Sequence, residues 1–233
     1  MDTDISHLRA HPEENATESL ERAAAFASEG TEWCWKWVGF AIHHALYSFC
    51  LTALHHGNWE HVASSGRRDE DDGMKCWRGP GSEMPGRVSR IQKVNGGPAY
   101  RIVWDPVDDP FPSGNSATVK DRPFSKSKVI GFWTALARVQ DGYHWMDRYV
   151  GSRPLVLTDD ELESIVWLTS KVRNNLMHYL PHLNWIDTRS IRYTTAVAVK
   201  AVEFLVFESR SMGLPLDRQE RVRQAINQLR SNI

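Results

Sequence analysis

The chain loses its helical period once, and for a long stretch. From Asn58 to about Phe124 the charge-rich Arg67-Arg68-Asp69-Glu70-Asp71-Asp72 is followed by many Gly and Pro residues, with no apolar repeat at helical spacing. Apolar residues recur at spacings of three and four on both sides of it. Two helical blocks must therefore meet around a central excursion, which predicts an all-α bundle of five or six helices with one insertion, residues 58–124. A structureless loop this long sits poorly in a compact domain. Within it, Arg87 to Lys93 and Ala99 to Trp104 flank Asn95-Gly96-Gly97, a turn signal that suits a β-hairpin. Tyr100, Ile102 and Trp104 alternate with Arg101 and Val103, as a half-buried strand would.

The helical blocks carry their own punctuation. Asn15, with Glu18 three residues on, opens a helix through Ala27 that stops near Gly30. Thr31 is placed to cap a second helix ending at Gly57, with a packing seam of Trp33, Trp37, Phe40, His44, Tyr47, Leu51 and Leu54. Helix resumes after Ser125, turning Ile130, Trp133, Thr134, Ala137 and Val139 inward. Thr158-Asp159-Asp160-Glu161 reads as a capping box with acidic residues where the helix dipole favours them. The helix it opens, Asp159 to Leu180, buries Leu162, Ile165, Val166, Leu168, Val172 and Leu176 and is halted by Pro181. Asp187 or Thr188 starts another helix through about Ser211. Asp217 with Glu220 caps a last one, striped by Val222, Ala225, Ile226 and Leu229.

Length and composition exclude several classes. At 233 residues and 41% hydrophobic, the chain suits one full-sized globular domain, residues 1–233, rather than a disordered one. A net charge of −1 confines any nucleic-acid contact to a local patch. Cys34, Cys50 and Cys76 are odd in number and lack metal or disulfide-framework spacing. The acidic start, Met1-Asp2-Thr3-Asp4, has no apolar signal core, and no apolar run is read as long enough to span a bilayer. These features predict a soluble, cytoplasmic protein without membrane contact.

The run that carries chemistry is Lys171-Val172-Arg173-Asn174-Asn175-Leu176-Met177-His178-Tyr179-Leu180-Pro181. Asn174 and His178 are four apart and stack on one helix face, with Arg173 on the adjoining one. Arginine is a permanent cation with a planar donor fork suited to phosphate. Histidine exchanges protons near neutral pH. An Arg and a His near a helix C-terminus also simply complement its dipole, so context must decide.

Arg173-Asn174-Asn175-Leu176-Met177-His178 resembles the signature of HEPN domains: Arg, four to six residues, then His, often with a polar residue after the Arg. Ile42-His43-His44-Ala45-Leu46-Tyr47-Ser48-Phe49 looks like the early helix of such bundles. The resemblance spans roughly residues 16–57 and 125–212 and leaves out the insertion. It implies a metal-independent endoribonuclease, of a kind found among toxins and phage-defence effectors, that needs no cofactor. His178 would act as general acid–base on the ribose 2′-hydroxyl or the leaving oxygen. Arg173 would stabilise the phosphoryl oxygens and Asn174 would position the phosphate. The flanking Lys171, Asn175 and Tyr179 are expected to contact the RNA. Family members commonly dimerise so that two motifs line one cleft, and a homodimer is expected here, with an antitoxin or regulatory protein as a further partner. Other members serve as non-catalytic RNA- or protein-binding or scaffold modules, which is the alternative reading.

Competing sites are weaker. His43-His44 and His55-His56 lack an H-E-x-x-H arrangement or a completing carboxylate or cysteine, so no metal is expected. His44 is expected to be a hydrogen-bonded core residue. Cys34, among Trp33, Trp35 and Trp37, reads as packing. Trp77 and Trp104, in the insertion, are the tryptophans best placed for a partner or RNA. Gly79-Pro80-Gly81 lacks the strand, lysine and helix of a phosphate loop and is assigned to a turn.

Overall fold

The computed structural model describes residues 11–31, 33–55, 61–62, 76–78, 85–93, 100–106, 129–146, 151–174 and 187–233; positions 76–106 and 143–144 within these are described by backbone alone. The described residues are mostly helical, consistent with an all-α protein, and contain six α-helices. Helix α1 (Pro12–Ser28) begins with Pro12, whose missing N–H costs nothing in a first turn, and with Glu13 and Glu14 at the positive end of its dipole. Its start is thus earlier than the Asn15 expected. Ala16, Ala23, Ala24 and Ala27 are buried beside Leu20, and these small side chains let α1 lie close against α2.

Helix α2 (Cys34–His55) is the core of the bundle. The Cys34 N–H donates to the Thr31 carbonyl at 3.2 Å, so Thr31 closes the entry with its backbone. The buried face is Trp35, Val38, Gly39, Ile42, His43, Leu46, Phe49, Cys50 and Ala53. This corrects the expected seam: Trp33 is 77% and Trp37 47% exposed, and His44 is exposed rather than in the core. Apolar residues surround almost the whole of α2, so its period alone does not fix which stripe faces inward. A second correction concerns length. At 22 residues with a mean hydropathy of 1.3 in its most apolar window, α2 is long and apolar enough to cross a membrane, contrary to the sequence reading; 67% of that window is buried by the bundle, as for a core helix.

The insertion leaves and returns at one place. The Ile130 N–H donates to the Val62 carbonyl at 2.9 Å, and Arg138 Nη1 donates to the His61 carbonyl at 2.6 Å. Tyr47 Oη donates to the Ile130 carbonyl at 2.5 Å, tying the junction to α2. Within the insertion, backbone segments β1 (Cys76–Arg78), β2 (Pro85–Lys93) and β3 (Tyr100–Pro106) pair antiparallel in that order. The Asn95-Gly96-Gly97 turn expected to close a hairpin lies outside the described residues.

Helix α3 (Phe132–Gln140) buries Thr134, Ala137 and Val139, while Ile130 is buried ahead of it rather than on it. Helix α4 (Asp159–Trp167) opens on the expected capping box: Thr158 Oγ1 accepts from the Glu161 N–H at 3.3 Å, and the Thr158 N–H donates to Glu161 Oε2 at 3.0 Å. The chain then widens into a π-helical segment, Leu168–Asn174, so the motif stretch is not the uniform α-helix expected. Its predicted end at Pro181 lies outside the described residues. Helix α5 (Thr188–Glu203) is capped by Asp187, whose carboxylate accepts from the Arg189 N–H at 3.2 Å, and continues as a π turn to Glu208. Helix α6 (Leu216–Arg230) buries the predicted stripe of Val222, Ala225, Ile226 and Leu229. Its cap differs from the expectation: Pro215 precedes it, no side chain caps it, and Asp217 lies in its first turn.

Candidate functional site

Glycine at position 39 sets the site. A Cβ built there would lie 2.5 Å from Val172 Cγ1, so only a residue without a side chain lets α2 approach the motif segment this closely. Val172 and Leu168 are fully buried in that contact and anchor the segment. The next residue, Arg173, is thereby turned outward and exposed. Its Nη1 donates to Asn174 Oδ1 at 2.8 Å. Among the described residues no carboxylate pairs with Arg173, whereas Arg218, Arg221, Arg230 and Lys200 each have one. With its oxygen spent on the guanidinium, the Asn174 amide keeps its N–H groups, and Arg173 keeps the rest of its fork. Together they present donors and a full positive charge with no anion among the described residues to answer them.

One turn along α2 from Gly39 lies His43, buried at 7% exposure, its ring tilted on Phe132 at 4.5 Å between centroids. His43 Nε2 is shielded from solvent and has no hydrogen-bond partner among the described residues. Burial above all, then the charges of Arg173 and His44, hold its pKa down to about 4. It is therefore neutral at physiological pH, within the field of Arg173. His43 is the buried imidazole of the pair, although apolar spacing along α2 points to its neighbour His44. The usable signal was Gly39, four residues before His43, as the mark of a close helix crossing.

Of the other expected site residues, Lys171 is exposed on the same segment. Asn175, His178 and Tyr179 lie outside the described residues, and so does their geometry to Arg173. Trp77 and Trp104 are described by backbone only. A cleft of about 500 Å³ between α4 and α5, which the sequence reading did not foresee, is lined by Trp167, Arg189 and Tyr193, with Asp160 and Glu163 also on its wall. Tyr193, on α5, is 56% exposed, so the cleft offers an accessible aromatic side chain facing α4, the helix that leads to Arg173. Among the described residues no three His, Cys, Asp or Glu side chains gather as a metal-ligand set.

Compared with family models, curated proteins and solved structures, the chain matches none. The likeness to HEPN domains therefore stands on sequence alone, on the Arg173 to His178 run and the Ile42 to Phe49 stretch.

Proposed function

We propose that the protein is a metal-independent endoribonuclease of the HEPN type, acting as a toxin or phage-defence effector. The observation that carries this reading is the exposed Arg173 with the half-buried Asn174 bonded to it, a cation with an oriented donor beside it and no carboxylate partner among the described residues. A phosphodiester supplies the missing negative charge and the planar acceptors that match the guanidinium fork. Arg173 then stabilises charge on the phosphoryl oxygens, Asn174 holds one of them, and His178 transfers the proton between the ribose 2′-hydroxyl and the leaving 5′-oxygen. The products are a 2′,3′-cyclic phosphate and a 5′-hydroxyl. DNA, without the 2′-hydroxyl, is not cut. Lys171, Asn175 and Tyr179 extend the contact along the strand, and the aromatic cleft of Trp167 and Tyr193 gives bases a stacking surface.

The purified protein should cleave single-stranded RNA in excess chelator. Arg173→Ala and His178→Ala should each lower the rate by about a hundredfold or more while leaving the circular dichroism unchanged. RNA retained by the wild type but left intact, with both variants altering affinity alone, would instead establish a non-catalytic binding or scaffold module.

A further inference from the structure

The stripe expected to pack α2 into the bundle lies largely on its outside. Trp33, Trp37, Phe40, His44, Tyr47 and Leu51 recur at alternating spacings of four and three. The face that the bundle buries runs instead through Trp35, Gly39, Ile42 and Leu46. At about 100° per residue, the centre of the stripe is roughly 120° round the helix from Gly39 and its contact with Val172. Trp33 is 77% and Trp37 47% exposed, His44 is exposed, and Phe40, Tyr47 and Leu51 are half-buried. Alternation of four and three is the period of a seam that takes up a second helix. None of the six positions is Lys, Arg, Asp or Glu, so covering the stripe strips no permanent charge of its water.

The two ends of the stripe have opposite shapes. At one end Trp33 projects just ahead of α2, and Trp37 is braced by Phe26 and Phe40 at ring-centroid distances of 6.3 and 5.8 Å. At the other end the stripe enters a second cavity, of about 410 Å³, between α1, α2 and the junction of the insertion. His44, Ser48, Leu51 and His55 line its α2 side, with Val62 and Val129 also on its wall. Asn15 of α1 bonds to His44 at 3.1 Å and to Ser48 at 3.3 Å, which fixes this end of the groove.

A projection and a recess on one face of one helix fit a second copy turned end to end, because a two-fold axis brings each to the other. The spacing supplies the register. In an antiparallel pair centred at the level of Ile42, Trp33 lies opposite Leu51, Trp37 opposite Tyr47, and Phe40 opposite His44. In each pair the more exposed side chain meets the less exposed one. A parallel pair would set Trp33 against Trp33 and leave both cavities unfilled.

The area is of the right order. At about 150–250 Å² for a whole tryptophan, exposures of 77% and 47% leave roughly 200–300 Å² per chain on Trp33 and Trp37. Two chains thus bring about 400–600 Å² from the tryptophans, a third to a half of the ~1,200 Å² at which specific interfaces begin. Phe40, His44, Leu51 and the cavity walls lie along the same line and supply more.

We propose that the outer stripe of α2 is a self-association surface on which two chains pair antiparallel, each placing Trp33 at the mouth of the other's cavity. The stripe does not include Arg173, and the inference does not rest on RNA cleavage.

Sedimentation equilibrium of the full chain at micromolar concentration should give a dimer. Mass alone would also fit a dimer formed through the Arg173 motif, so variants separate the two. Trp33→Glu and Trp37→Glu should each weaken dimerisation by at least about thirtyfold, as loss of an aromatic anchor does, with the circular dichroism unchanged. Should Trp37→Glu fail to fold, Trp33→Glu decides, since at 77% exposure that side chain lies outside the core. Arg173→Ala should dimerise as wild type does. Oxidative cross-linking, with the wild type as blank, reads the register: Trp33→Cys mixed with Leu51→Cys should give a covalent dimer, and neither alone should. A monomer at micromolar concentration, a dimer that Trp33→Glu leaves intact, or a cross-link formed by Trp33→Cys alone would overturn the proposal.

Discussion

His43 and Arg173 belong to different helical segments, yet the charge of the guanidinium reaches the imidazole. An imidazole at 7% exposure, its Nε2 unpartnered among the described residues and a cation in its field, is held neutral down to about pH 4. Because the folded pKa is depressed below the ordinary 6.5, the unfolded chain binds more protons between the two values. Stability from this residue is therefore complete above about pH 6.5 and falls as pH drops toward 4, by about 3 kcal/mol in total. His43→Leu should flatten the decline in urea midpoint over that window while keeping the fold at pH 7. An unchanged pH profile in the variant would show that His43 is not buried as a neutral base. Glu14 loses its contribution at lower pH. Its pKa is pulled down chiefly by the hydrogen bond from Arg221, so its share disappears only below the usual carboxylate range.

At the scale of elements, one contact decides how α2 and the motif segment sit together. Gly39 gives up helix propensity, about 1 kcal/mol relative to Ala, to allow the approach to Val172. Gly39→Ala regains that amount but forces a methyl to within 2.5 Å of Val172 Cγ1, and the β-branched Val172 has little rotamer freedom with which to yield. Overpacking of this kind costs about 1–3 kcal/mol, so the net effect should be a loss. Adding Val172→Ala should recover part of it, with a coupling of more than about 0.5 kcal/mol in a double-mutant cycle of thermal or chemical denaturation. Strict additivity would mean that the two helices do not meet at this pair. The capping box at Thr158 was legible because both of its bonds are local. The π-helical widening after Trp167 was not, because nothing in the Leu168–Asn174 sequence competes locally with an α-helix.

For the molecule as a whole, α6 closes the bundle by pairing with α1. Arg218 pairs with Glu13 and Glu14, and Arg221 forks onto Glu21 at 2.8 and 2.7 Å. Such partly exposed pairs contribute about 0–1 kcal/mol each, less than the buried apolar stripe of α6. They fix the register of the two termini more than they stabilise it. If the proposed ribonuclease reading holds, one motif would provide one acid–base histidine per chain, while cleavage would call for proton transfer on both sides of the phosphate. A two-fold dimer doubles the group using the same patch twice. Light scattering at micromolar concentration should therefore give a mass near twice 26.7 kDa, and a monomeric mass would remove the shared cleft from the mechanism.

Helix content, the α4 cap and the buried stripe of α6 were all readable in the sequence. Each depends on residues a few positions apart, whose spacing and side-chain chemistry act locally. The inward face of α2 was different. Its apolar residues go nearly all the way round, so the choice of His43 over His44 as the buried imidazole was made by which helices pack against it and by the gap at Gly39. The exposed Arg173, free of a carboxylate, was legible only as a residue type. That it meets no acidic side chain among the described residues depends on positions remote in sequence, as does the cavity that joins Asn15 to Ser48. Spacing along the chain encodes turns and stripes; which stripe is covered and which polar group is left unanswered depends on contacts between segments that the sequence holds far apart.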